Sequence, residues 1–253
     1  MNFITVDEHN IKEEHICCAI SDKKGENCVG SKKAWLSERF KEGLVFRKLD
    51  ARGKVFIEYI PSEKAWYPIM AEGYMHINCF WVSGQFKGQG YANELLAYCI
   101  EDAKQKGKCG VTIISSKKKR GYLSDPDYMK YKGFLIADEV PNDFILYYLP
   151  FTEEAPMPKF ANYVKTGKIE EMGIVLYYTR QCPHTDKYVP ILKECAAKHG
   201  QNLTIYEITT TAEAQTAPTP FTTYTLFYNG QFITNEIMSE KRFEKFLSSQ
   251  GLI

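Results

Sequence analysis

Apolar positions along the first 150 residues fall into short runs, some alternating with polar residues and some continuous, with helical spacing between them. FITV (3–6) reads as a short strand, and residues 10–20 and 31–42 carry helical spacing. In the second of these, Ala34, Trp35, Leu36 and Phe40 supply the apolar stripe. GLVFRKL (43–49) and KVFIEYI (54–60) are strand-like runs on either side of DARG, a hairpin turn. MHINCFWV (75–82) predicts a long buried strand. NELLAYCIEDAKQKG (93–107) predicts a helix with Leu95, Leu96, Cys99, Ile100 and Ala103 on one face. VTIIS (111–115) is wholly apolar, as a strand buried on both faces should be. DPDYMKYKG predicts a short helix, and LIADEV and DFILYYL two closing strands.

The pattern then breaks. PFTEEAPMPKFANYVKTGKIEEMG is rich in proline and charge and poor in apolar periodicity, which predicts a linker at 151–170 between units at 1–150 and 171–253. The second unit reads strand (173–179), helix (183–199), strand (203–208), hairpin TYTLFYNGQFIT and final helix (239–247). The Asn229–Gly230 pair is a strong hairpin signal, since both central residues of that turn need positive φ. The fold class expected is α/β (α+β): a mixed, mainly antiparallel sheet flanked by helices, followed by a smaller α/β domain.

Composition narrows the function classes. Of 253 residues, 32 are Lys or Arg and 31 Asp or Glu, so a net charge of +1 gives no support to a nucleic-acid or membrane-surface binder. No apolar run approaches the roughly 20 residues that span a bilayer. MNFITVDEHN lacks a basic region followed by an apolar stretch, so a cytoplasmic location is expected. The eight cysteines form no C-x-x-C pair, and with the five histidines they offer no zinc-ligand spacing; no metal site is expected.

Candidate chemistry concentrates in VSGQFKGQGYA (82–92), where Gly84, Gly88 and Gly90 separate a buried strand from a helix. Free N–H groups and the helix dipole make such a turn a site for phosphate. Missing side chains let the ligand reach the backbone, and Lys87 adds a charge. The Walker pattern and G-x-G-x-x-G are both absent. By itself the turn is compatible with a plain strand-to-helix connection.

Gln85-Phe86-Lys87-Gly88-Gln89-Gly90 matches [QR]-x-x-G-x-[GA] after a fourth strand, and Tyr131-Lys132-Gly133-Phe134 ends a short helix. Together with the strand order of residues 1–150, these resemble the GNAT (Gcn5-related) N-acetyltransferases. EEHICCAI, RGKVFIEYIP, GYMHINCFWVSGQFKGQG and the two-unit layout are similar to the YoaP-like branch of that family. The resemblance implies a GNAT-type sheet with acetyl-CoA as cofactor. It implies pyrophosphate on the backbone of Gln85, Phe86, Lys87, Gly88, Gln89, Gly90 and Tyr91, and the pantetheine arm along Phe80, Trp81 and Val82. The implied reaction is direct transfer of an acetyl group to an amine in a ternary complex. The acceptor would be a small molecule or a peptide.

The acid–base residues are less clearly marked. The family's thiolate-protonating Tyr falls at Met129, flanked by Tyr128 and Tyr131, but neighbouring helix residues point about 100° apart, so either could serve only with a local shift. Glu58 and His76 are candidates for the base, against readings as an exposed strand carboxylate and a satisfied, partly buried histidine. Glu14, His15, Cys17 and Cys18 could line the acceptor side or pack a helix. Lys117-Lys118-Lys119-Arg120 could meet a phosphate or lie in a solvated loop.

In TRQCPHT, Cys182 stands at a strand end before Pro183, where a helix N-terminus favours thiolate. The order of elements over 171–253 resembles a thioredoxin or glutaredoxin fold, but the motif reads Cys-Pro-His-Thr. Thr222 stands where that fold keeps its cis-proline. Cys182 is therefore a possible thiol site in a domain that exchanges thiols, serves recognition, or only supports. Alternative functions are thiol sensing through Cys182 and non-catalytic CoA binding. The acceptor and the oligomeric state, a homodimer included, stay open.

Overall fold

The structure, a computed structural model, describes residues 2–16, 19–22, 24 and 26–253. In chain order its first part comprises β1 (Phe3–Val6), α1 (Cys28–Phe40), β2 (Val45–Leu49), β3 (Val55–Pro61), β4 (Ile69–Met70) and β5 (Tyr74–Val82). Then follow α2 (Tyr91–Gln105), β6 (Gly110–Ser116), α3 (Pro126–Tyr131), β7 (Leu135–Val140), β8 (Phe144–Pro150) and β9 (Lys159–Phe160). The remainder is β10 (Ile174–Tyr178), α4 (Pro183–Lys198), β11 (Leu203–Glu207), α5 (Thr211–Thr216), β12 (Tyr224–Tyr228), β13 (Gln231–Thr234) and α6 (Glu240–Ser249).

Seven strands form one sheet in the order β1-β2-β3-β5-β6-β8-β7, antiparallel except for the β5–β6 pair. This sheet is covered on both faces, and its strands carry the residues for it. One face packs Ile57, Ile77 and Ile113 against Leu95, Leu96 and Cys99 of α2. The other packs Phe46, Phe56 and Phe144 against Trp35 and Leu36 of α1.

The four-stranded sheet, β11-β10-β12-β13, has α4 and α6 on one face, with Leu192, Phe243 and Leu247 at the centre of that layer. Its opposite face joins the first unit: Val175, Tyr177, Phe221 and Phe227 belong to the same apolar cluster as Phe46, Phe56 and Phe144. Residues 151–170 are pinned to the first unit, where β4 and β9 make a separate two-stranded sheet. β9 pairs with β4, Tyr74 Oη donates to the Pro156 carbonyl at 2.7 Å, and Phe160 and Val164 are buried.

The helix expected at 10–20 does not form in the described part of that stretch, which is a series of turns through residue 13. Asp7 accepts from the backbone of His9 at 2.8 Å, and Asn10 Oδ1 accepts from the backbone of Asp7 at 3.0 Å. These short side chains offer the backbone local partners that compete with helix, while Ile11 and Ile16 anchor the segment in the core. Cys17 and Cys18 lie outside the described residues. α5, not foreseen, opens on a capping box. Thr210 Oγ1 accepts from the Glu213 N–H at 3.2 Å, and the Glu213 carboxylate accepts from the Thr210 N–H at 3.2 Å.

Candidate active site

β5 and β6 pair only from Tyr74↔Gly110 to Ile77↔Ile113, then separate. The cause lies on the other side of β5. There β3 pairs Glu58 with Cys79 and Tyr59 with Ile77, leaving Asn78 as an extra residue. A bulge of this kind bends its strand and increases the local twist. It carries residues 78–82 away from β6, and Phe80, Trp81 and Val82 end on one side of the opening.

Two cavities occupy this opening and share Phe80, Trp81, Leu123 and Ser124. The first, about 350 Å³, reaches from Val82 past Lys87 and Ala92 to Lys119 and Tyr128. The second, about 340 Å³, reaches from Glu58 and Asn78 to Gln181 and Cys182 of the four-stranded unit.

The glycine turn borders the first cavity. Gly84, Gly88 and Gly90 have φ of 61°, 76° and 86°, a region where an L side chain is strained. Gly84 thereby enters the 3₁₀ turn at 84–86, and Gly90 stands at the N-cap of α2. A Cβ built on any of the three meets nothing within 4 Å, so the space over the loop is open. Among the described residues, the N–H groups of Gly88, Gln89 and Gly90 bond to no carbonyl or side chain. Glycine conformation, open space and unpaired donors at a helix start are what a pyrophosphate needs. Gln85, Lys87 and Gln89 are exposed beside it, and Tyr91 is buried in the α2 layer. Phe86 is the loop's anchor: its buried ring lies on Gly53, where a Cβ would come within 2.2 Å of it.

Rotation along α3 separates its aromatic residues. Met129 is fully buried under α2, Tyr128 faces the first cavity, and Tyr131 is 79% exposed. Tyr128 Oη donates to Asn93 Oδ1 at 3.2 Å, and its ring lies 5.7 Å from that of Phe80. Burial, with Tyr131 adding to it, pushes its hydroxyl up to about 12. Tyr131 is left outside both cavities, because the helix turns it to solvent.

Glu58 lines the second cavity but is not solvent-facing. It is 1% exposed, accepts from Lys32 Nζ at 2.7 Å through Oε2 and from Asn78 Nδ2 at 3.2 Å through Oε1. His76 lies behind that cavity rather than in it. Its Nδ1 is 2.9 Å from Thr112 Oγ1, its ring is 5.0 Å from that of Tyr67, and burial lowers its pKa to about 3. A ring held neutral so strongly does not take a proton from an amine at neutral pH. Glu14 and His15 also turn elsewhere, Glu14 to Lys48 at 2.7 Å and His15 Nε2 to the Gly53 carbonyl at 3.0 Å.

In the basic run, Lys117 pairs with Glu139 at 2.7 Å and Lys119 with Asp125 at 2.8 Å. Only Lys119 reaches the first cavity. Arg120 joins the two units, donating to Asn235 Oδ1 at 3.3 Å. Cys182 caps α4 with Pro183 in the first turn, and borders the second cavity. Cys195 is buried in the α4–α6 layer. Thr222 donates its hydroxyl to the Trp66 carbonyl, so that position docks the second unit on the first.

The residues that sequence reading missed are Tyr67, Asn78, Gln181, Phe221 and Thr223, all bordering the second cavity. Asn78 could have been found as the one amide inside an apolar strand. The others are distant in sequence and meet only through the packing of the two units.

Comparison with known proteins adds to this geometry. The GNAT acetyltransferase family model matches residues 9–119, and the YoaP-like model matches residues 202–245. The uncharacterised N-acetyltransferase YoaP of Bacillus subtilis (strain 168) is 44% identical over 249 residues, covering 98% of this chain and 99% of that protein. Among solved structures, the ribosomal-protein-alanine N-acetyltransferase of Brucella melitensis matches with a TM-score of 0.43 at 14% identity, over 60% of this chain and 100% of its own. A GNAT acetyltransferase of Brucella melitensis in complex with acetyl-CoA matches at 0.38 and 14% identity, over 63% and 95%. The PaiA N-acetyltransferase of Thermoplasma acidophilum with coenzyme A matches at 0.40 and 13%, over 60% and 100%.

Proposed function

We propose, from the premise that this chain belongs to the GNAT acetyltransferase family and to its YoaP-like branch, that it acetylates an amine by direct transfer from acetyl-CoA in a ternary complex. The single observation that carries the reading is the pair of cavities meeting at the β5–β6 opening, one beside the glycine loop and one beside Glu58. Acetyl-CoA supplies an activated acyl carbon, on which a C–N bond forms as the C–S bond breaks.

The chain's own residues supply the rest. The N–H groups of Gly88, Gln89 and Gly90 hold the pyrophosphate, with Lys87 adding charge, while Lys119 is balanced by Asp125 on the same cavity wall. The edge of β5 left bare at Phe80–Val82 supports the pantetheine arm. Tyr128, protonated up to about pH 12, keeps a proton for the departing thiolate. Glu58 and Asn78 orient the amine, and Glu58 leads its proton away. Tyr131 and His76 have no part in these steps.

We read the four-stranded unit as thioredoxin-like, a reading supported by its strand order and by Cys182 at the start of α4. We divide the chain at 1–150 and 171–253, and assign the enzyme to the cytoplasm as the compartment where its thiols stay reduced. No helix of the described residues is long and apolar enough to cross a membrane. The test is titration calorimetry with acetyl-CoA, joined to thiol release over a panel of amines. Wild type is expected to bind and turn over, and Gly90→Trp to lose binding at least tenfold. Absence of acetyl-CoA binding by wild type refutes the proposal.

A further inference from the structure

The second cavity has walls from both units. Glu58, Asn78 and Phe80 come from the seven-stranded sheet, and Gln181, Cys182 and Phe221 from the four-stranded unit. This second wall is fastened at several points. Tyr67 Oη lies 3.3 Å from Thr223 Oγ1, the Tyr67 and Phe221 rings stack at 5.9 Å, and Lys187 pairs with Glu26 at 2.7 Å.

Two carbonyl oxygens of wall residues, Asn78 Oδ1 and Gln181 Oε1, are buried without a partner among the described residues. The Asn78 orientation follows from its other end, where a carboxylate can only accept, whereas the partner of Gln181 is a hydroxyl that suits either end of the amide. Asn78 Nδ2 donates to the Glu58 carboxylate and Gln181 Nε2 to Thr179 Oγ1 at 3.0 Å. Unpaired buried acceptors are costly, and they make this wall, at the Glu58 and Asn78 end, the polar part of the cavity. Phe80, Leu123 and Phe221 present an apolar surface beside them. At about 340 Å³ the cavity lies near the lower end of small-molecule sites, roughly 300–1,000 Å³.

We propose that the four-stranded unit is the acceptor-selecting wall, and that it restricts the acceptor to a small-molecule primary amine with a compact apolar body. This rests on the acetyl-transfer reading above. Set at the Glu58 and Asn78 end of the cavity, a neutral primary amine uses its two N–H bonds there and keeps its lone pair for the acyl carbon at the boundary formed by Phe80, Leu123 and Ser124. An extended peptide carrying the amine exceeds the space of about 340 Å³ between the two walls, and on that ground is excluded.

The test uses three probes on the full chain by calorimetry: CoA, a CoA thioether S–CH₂–CO–NH–phenethyl, and the same linker joined to a hexapeptide N-terminus. The phenethyl probe is expected to bind at least tenfold tighter than CoA, and the hexapeptide probe no tighter than CoA. Cys182→Trp, which fills the cavity from the second wall, should abolish the phenethyl gain while leaving CoA affinity within twofold. Gln181→Met, close in volume, should reduce the gain at least threefold and serves if the tryptophan variant does not fold. A phenethyl gain absent from wild type, one that survives both substitutions, or a hexapeptide probe of equal affinity overturns the inference. Failure of CoA itself to bind refutes the acetyl-transfer reading instead, and the inference falls with it.

Discussion

His76 makes stability depend on pH in a way that can be isolated. Burial holds its pKa near 3, against an ordinary 6.5 when the chain unfolds. Between these values the unfolded chain binds the proton and the folded one does not. The stability that neutral His76 allows is therefore present above pH 6.5 and is lost progressively as pH falls towards 3. At about 1.4 kcal/mol per pH unit, going from pH 7 to pH 5 costs about 2 kcal/mol through this one ring. With a urea m-value of about 3 kcal/mol/M, the midpoint should fall by about 0.7 M. His76→Gln keeps a polar group near Thr112 Oγ1 but cannot titrate. It should start less stable at pH 7 and lose about 2 kcal/mol less than wild type on acidification. His15 and His184, also lowered by burial, titrate equally in both proteins and cancel in the difference. Equal losses in the two proteins would refute the account of His76 as a neutral, desolvated core group.

Further outcomes follow from the site. Tyr128→Phe should lower kcat by about 100-fold with acetyl-CoA affinity unchanged, as removal of a proton donor does, measured by thiol release and calorimetry. Lys32→Met leaves the Glu58 carboxylate buried without its 2.7 Å partner, and should cost about 3–5 kcal/mol in urea denaturation. Gly53→Ala should push Phe86 off its seat, weakening acetyl-CoA binding as measured by calorimetry and lowering stability by about 1–3 kcal/mol, as overpacking against a buried ring does. Tyr131→Ala should leave turnover within twofold, because its ring stands in solvent.

Much of this was readable from the chain. Residues 75–107 declare a buried strand, a glycine turn and an amphipathic helix, because hydrophobic period and glycine conformation are local properties. The Asn229–Gly230 turn was legible for the same reason, with Asn229 at φ 46° and Gly230 at φ 75°. Residues 10–20 misled because Asp7 and Asn10 redirect backbone bonds that apolar spacing alone assigns to a helix. The reading of Glu58 as an exposed strand carboxylate failed because nothing in FIEYI shows that Lys32 waits opposite. Tyr67, Gln181 and Phe221 converge on one cavity from positions 40 or more residues apart, a distance that no local pattern bridges.

The apolar layer joining Val175, Tyr177, Phe221 and Phe227 to Phe46, Phe56 and Phe144 bears on how this lineage can change. Modules that meet through a loose tether can be exchanged between genes and still fold. Here the seam is interior, so a transplanted back half would confront aromatic rings shaped for a different neighbour. On the acceptor-wall proposal, new acceptor preferences would arise in place, by replacements at seam positions such as Phe221 that also line the second cavity. Each is screened for folding before it is ever screened for chemistry.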